Sequence, residues 1–123
     1  MLLPFVRASV TLVPELGHSR WPNRSRYMPH IVIGDPSQRL PRLVEGNVIS
    51  ERYLGVWFIK APDELIPGKS AEVTLCLMYW PEEPYEEVAP GATFTLREGP
   101  HVVGSGQVLD RSEPVDVTLF QKR

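Results

Sequence analysis

ATFTLREGPHVVGSGQV, residues 92–108, decides how this chain is read. Ala92, Phe94 and Leu96 fall on one face and Thr93, Thr95 and Arg97 on the other, the period of two of a strand with one side buried. Glu98-Gly99-Pro100 supplies a reversal. On the return strand Val102, Gly104, Gly106 and Val108 share a face, and Val103, Ser105, Gln107 and Leu109 share the other. Glycines at alternate positions weaken a strand unless something approaches closely or the sheet bends sharply there. Both conditions hold in the wall of a small closed barrel.

Working outward, Val6, Ala8, Val10 and Leu12 alternate with Arg7, Ser9 and Thr11, which predicts a first strand over residues 5–13. His30 to Ile33 begins a short strand that stops at the turn signal Gly34-Asp35-Pro36. Residues 36–50 are polar and aperiodic, an excursion with at most a turn of helix. Tyr53 to Ile59, YLGVWFI, is apolar almost throughout and suits a strand covered on both faces. Leu65 to Lys69 reads as a turn, and Ala71, Val73, Leu75 and Leu77 as the inner face of another strand, with Glu72, Thr74 and Cys76 facing outward. Residues 78–90 form a proline-punctuated acidic loop. Pro114 to Phe120 alternates again and predicts a short edge strand. No segment keeps a helical period over ten residues or more, so the expected fold is all-β, a six- or seven-stranded antiparallel barrel in one domain spanning residues 1–123.

Composition agrees with a globular protein: 123 residues, 42% hydrophobic and 23% charged, with prolines at about twice the usual share and scattered between short elements. The one cysteine, Cys76, excludes an internal disulfide. MLLPFVRASV lacks a basic leader region, and no apolar run approaches the ~18 residues of a membrane span, so the expected location is the cytoplasm, with no membrane partner. A net charge of −2 conceals an asymmetry: through Lys60 eight basic residues stand against four acidic, +4, and thereafter five against eleven, −6. The front half suits a polyanion and the back half does not.

With the strands placed, the order of motifs resembles the C-terminal, third barrel of bacterial elongation factor Tu over residues 6–109, leaving 110–123 as an extension or edge strand. Val6 to Leu12 is similar to that barrel's first strand. Tyr27-Met28-Pro29-His30-Ile31 stands in place of its Tyr-Arg-Pro-Gln-Phe, and Leu65-Ile66-Pro67-Gly68 is like its Met-Pro-Gly turn. Phe94 to Gly99, continuing through Val103-Gly104-Ser105-Gly106, is like its last hairpin. Met28 replaces an arginine, His101 replaces another, the 36–50 excursion is longer, and the nucleotide-binding domain and second barrel have no counterpart in these residues. What the resemblance implies is a non-catalytic, stand-alone binding barrel whose partners are tRNA or another structured RNA, or a translation-related protein.

The residues expected to carry binding are Arg20, Trp21, Arg24, Arg26 and Tyr27, a loop interleaving guanidiniums with aromatic rings that can pair with phosphates and stack on bases. His30 joins them, as do Arg97, Glu98, Gly99 and His101 around the hairpin turn, where the resembling barrel helps grip the tRNA backbone. The same loop also admits a plain reading, in which arginines solvate it and Trp21 and Tyr27 cap the barrel end.

Other chemistry finds less support. Pro67-Gly68-Lys69-Ser70 invites comparison with a P-loop, yet Asp63 stands where the motif needs its first glycine and a strand follows instead of a helix, so no nucleotide is expected. Cys76 has no histidine at a telling spacing and reads as packed and inert. His18, His30 and His101 form no ligand motif, and Pro81 and Pro84 break the run of Glu82, Glu83, Glu86 and Glu87, so neither metal nor cofactor is expected. Two alternatives stay open: a protein-interaction role that mimics the factor's barrel through the strand Tyr53 to Ile59 or the acidic loop, and an enzyme with its site in the barrel mouth.

Overall fold

The computed structural model describes residues 2–14, 27–44, 48–49, 51–62, 65–116 and 118. Six strands close an antiparallel barrel: β2 (Phe5–Leu12), β3 (His30–Ile33), β6 (Leu54–Lys60), β7 (Ser70–Leu77), β8 (Thr93–Glu98) and β9 (His101–Arg111), in the order β2-β7-β6-β3-β8-β9 and back to β2. Two small sheets lie outside the barrel. One pairs β1 (Leu2–Leu3) with β10 (Val115–Asp116); the other pairs β4 (Leu43–Val44) with β5 (Val48–Ile49). No element among the described residues is a helix.

Alternation places the interior. Val6, Ala8, Val10 and Leu12 of β2 turn inward, against Leu75 and Val73 of β7 and Val108 of β9, with Ile31, Val56, Phe58, Phe94 and Leu96 completing one continuous apolar core. The two glycines of β9 face this core. Gly106 pairs with Val10 on one side and Phe94 on the other, and Gly104 with Leu12 and Leu96. A Cβ on Gly104 would stand 2.8 Å from the Thr11 carbonyl oxygen, and one on Gly106 2.7 Å from the Phe94 ring. Close approach is therefore what these positions require, and it lets the Phe94 ring lie across the barrel.

Three expectations are corrected. A register shift between Leu96 and Arg97 puts an extra residue in β9, so Val103 is buried and Val102 only half-buried, the reverse of simple alternation. The 36–50 excursion contains a two-stranded sheet instead of a helical turn. And the outer face of β8 is covered rather than wet, since Thr95 and Arg97 are fully buried; on β7 Cys76 is buried with Leu3 and Trp57, as a packed cysteine should be, while Glu72 is exposed. The expected edge strand appears as Val115–Asp116, hydrogen-bonded to Leu2–Leu3, while Val117, Leu119 and Phe120 lie outside the described residues.

β6 fulfils the expectation of burial on both faces, with Leu54 to Phe58 all inaccessible. That removes the strand as an exposed surface for protein mimicry. The acidic loop also departs from a purely solvated one. Glu82, Glu83, Glu86 and Glu87 are exposed, but Tyr85 and Val88 between and after them are buried in the core.

Candidate binding site

Tyr27 enters the barrel wall just before β3. Its carbonyl accepts the Phe58 amide at 2.9 Å, and its ring meets Phe58 edge-on with centroids 5.0 Å apart. The phenol donates to the Glu98 carboxylate at the hairpin turn. Burial, with Glu98 adding to it, raises the phenol's pKa well above the ordinary tyrosine value. Tyr27 thus acts as a cap on the barrel end, the plain reading of that residue. Arg20, Trp21, Arg24 and Arg26 lie outside the described residues.

Gly99, with φ +59°, makes the reversal, and Glu98 and His101 face each other across it. Tyr27, Glu98, Gly99 and His101 therefore share one corner of the rim. His30 and Arg97 are cross-strand neighbours on the outer wall, and the His30 ring lies 5.9 Å from that of Tyr53.

Arg97 does stand beside the turn, paired with Val102, but it is not open to a ligand. Its side chain has no exposed surface, and its guanidinium forks onto Glu51, Nη1 donating to Oε1 at 2.8 Å and Nη2 to Oε2 at 3.0 Å. Nε donates to Thr95 Oγ1 at 2.9 Å, Nη1 also to the Tyr53 hydroxyl at 2.9 Å, and the cation stands 5.4 Å from the Tyr53 ring centroid. Burial disfavours the charge, but the paired carboxylate outweighs it and the guanidinium's pKa is raised. Arg97 likewise holds the Glu51 carboxyl down at about 2, against the cost of burial and with help from Gln38 and the Arg42 amide. A bidentate pair this well satisfied is a fastener, not a ligand-binding hand.

The fastener secures a strap, of which residues 34–44, 48–49 and 51–53 are described, to the outer face of β3 and β8. Among the described residues its side-chain bonds to the barrel wall run through Arg97 and through Thr93, whose hydroxyl donates to the Gly34 carbonyl. Gln38 braces Glu51 from within the strap, donating at 2.6 Å. Nothing in the sequence marks this set, since Glu51 and Arg97 are 46 residues apart.

No protein-family model matches the chain, and no curated protein matches it in sequence. The resemblance to the elongation factor barrel accordingly rests on the motif residues quoted above alone.

The cations available on the surface are Arg39, Arg42 and Arg52 of the strap, all exposed, together with Arg7, Lys60 and Lys69 elsewhere on the described surface. Arg7 is engaged, bridging Glu72 and Asp110 at 2.7 and 2.6 Å. Arg39 donates to the Pro36 and Gln38 carbonyls. Arg42 and Arg52 reach no carboxylate within ion-pair distance among the described residues; they line a cleft of about 290 Å³ between strap and barrel. Cys76, by contrast, is shut away, its thiol pushed up to about 12 by burial alone. Lys69 sits in a β-turn, its amide donating to the Ile66 carbonyl at 2.9 Å, as expected of a turn and not of a phosphate loop. No cluster of three metal-ligating side chains occurs among the described residues, and no helix there is long and apolar enough to cross a membrane.

Proposed function

We propose that this chain is a non-catalytic binding module, similar to the third barrel of elongation factor Tu, that holds structured RNA of the translation apparatus on its outer surface. The observation that carries the reading is the division of labour in the barrel. Its interior is packed with apolar side chains, which leaves the outside to act, and three of the exposed front-half cations, Arg39, Arg42 and Arg52, lie on the strap. With Arg97 committed to Glu51 and Glu98 at the turn, the hairpin itself offers little to a phosphate. The gripping surface is instead the strap, and the sequence adds Arg20, Trp21, Arg24 and Arg26 as further candidate contacts.

The test is retention of mixed tRNA as salt is raised. The reading expects affinity to fall by about tenfold or more between about 50 and 200 mM salt, and to weaken further in R24A/R26A. Absence of any tRNA complex at the lowest salt would remove it.

A further inference from the structure

We propose that the cleft between the strap and β3 is an oxyanion site, in which Arg42 and Arg52 hold one phosphate group from opposite strap segments. The inference deepens the RNA reading and rests on it only for the source of the phosphate.

The cleft is floored by Val32 and Ile33 and walled by the strap, with Arg42, Arg52 and Glu51 as its charged lining residues. The Glu51 oxygens are already taken by both arms of Arg97 and by the Gln38 amide, and Arg97 balances its charge. What remains is two guanidiniums that meet no carboxylate at ion-pair distance among the described residues, each a planar fork of donors matched to phosphate oxygens. Asp35 lies close enough for Arg39 and Arg42 to act on its carboxyl, but accepts from the amide and hydroxyl of Ser37, which hold its pKa low. Glu87 borders a neighbouring cleft of about 190 Å³ that also includes Arg52, and forms no ion pair with it.

Charge of one sign beside a low-dielectric floor concentrates anions. The Arg97–Glu51 pair fixes the strap segment that bears Arg52, so this residue is presented from an anchored backbone. Both clefts are shallow and open, which suits a phosphate carried on a chain, such as an RNA backbone, better than an enclosed small molecule.

Two measurements test this. Inorganic phosphate is titrated into labelled protein at low ionic strength while backbone amides and arginine Nε–H signals are followed by NMR. The site predicts shifts confined to Gly34, Gln38, Arg42 and Arg52 that vanish in R42A/R52A. Mixed tRNA is then bound to the same double variant, whose logarithmic salt slope is expected to fall by about two and whose affinity at low salt drops about tenfold. Neither side chain makes an internal bond among the described residues, so the variant folds, and an unchanged melting curve checks that. The phosphate shifts decide the site and the tRNA slope decides the source. If tRNA binds wild type and double variant alike and phosphate shifts nothing, the site is refuted while the RNA reading survives. If tRNA never binds but phosphate shifts map to the cleft, the RNA reading fails and the oxyanion site stands with another source. With neither response, both are lost.

Discussion

Two long connections lie against the barrel, and they are held by opposite kinds of chemistry. The strap, in its described residues 34–44, 48–49 and 51–53, is fastened to the outer wall by a buried ion pair and the ring of Tyr53. The acidic loop, residues 78–92, is fastened by oil: Tyr85 and Val88 enter the core while the glutamates face water. Its backbone is also tied at both ends, the Gly91 amide donating to the Val108 carbonyl at 2.8 Å, and Arg111 donating to the Tyr85 and Val88 carbonyls. The Tyr85 hydroxyl donates to the Gly55 carbonyl at 2.7 Å and accepts the Tyr79 amide at 3.1 Å. An apolar fastener contributes in proportion to buried area, whatever its partner's charge. A charged one contributes only while both halves are present, because each alone is an uncompensated buried ion.

The largest expected effect breaks the apolar fastener. Tyr85→Ala removes a ring that is 1% exposed and orphans the Tyr79 amide, and about 4 kcal/mol should be lost in urea unfolding. Tyr85→Phe keeps the ring and should cost about 1 kcal/mol. Equal losses in the two variants would place the energy in the hydroxyl and undo the comparison.

The charged fastener should fail differently. Glu51→Ala strands the Arg97 guanidinium, which has no exposed surface, and should cost about 3 kcal/mol. The double change Glu51→Met with Arg97→Met should recover most of that, since an apolar pair of similar volume needs no compensation. A double variant as unstable as the single one would show that geometry, not charge balance, holds the strap. The pH dependence has a definite sign. The folded Glu51 carboxyl is depressed to about 2 from an ordinary 4.5, so its contribution is complete above about pH 4.5 and disappears as pH falls through about 2. Acid titration of unfolding free energy should show that limb in wild type and a flatter one in Glu51→Gln.

The same contrast explains what the sequence could disclose. Strand alternation reports which residues share a face, and it located β2, β7 and the β8-β9 hairpin, while a continuous apolar run located β6 and a turn signal bounded β3. It cannot report what lies over the other face. Thr95 and Arg97 alternate as outward residues should, and outward they are, but the strap covers them. Tyr85 was hidden for the converse reason, a single ring among glutamates and prolines with no period to announce it. The register shift after Leu96 reversed Val102 and Val103, since the inserted residue breaks the alternation where it enters, while Gly104, Gly106 and Val108 keep the expected face. Of the candidate site, the facing of Glu98 and His101 across the turn was legible from the hairpin, whereas the bond of Tyr27 to Glu98 was not, and Arg42 and Arg52 gain meaning only once Glu51 is known to be occupied by Arg97.

A smaller effect concerns the glycines that made the barrel legible. Gly106→Ala presses a methyl toward the Ser9 carbonyl and the Phe94 ring; the ring can turn aside but the backbone oxygen cannot move freely. A loss of about 2 kcal/mol is expected, and pairing the change with Phe94→Leu should relieve only the part due to the ring. A neutral Gly106→Ala would mean that β9 stands further from β2 than its pairing with Val10 implies.

The smallest perturbation probes a third cover, the β1-β10 sheet, which closes over Cys76. Leu3 packs on the thiol with Trp57, and burial holds that thiol near 12, so the thiolate is scarce at neutral pH. Disulfide reagents should therefore label Cys76 only through opening of this cover. A sheet two residues long opens at less cost than the barrel unfolds, so labelling in the absence of denaturant should be faster than global unfolding allows. Val115→Ala tests this cleanly: Val115 is 37% exposed, and its truncation should change global stability by less than about 0.5 kcal/mol. If the cover opens locally, that change speeds labelling by no more than about twofold, and labelling stays faster than global unfolding allows. If labelling stays locked to the global unfolding rate, β1 and β10 belong to the same cooperative unit as the barrel, and the strap becomes the one cover whose release is separable from it.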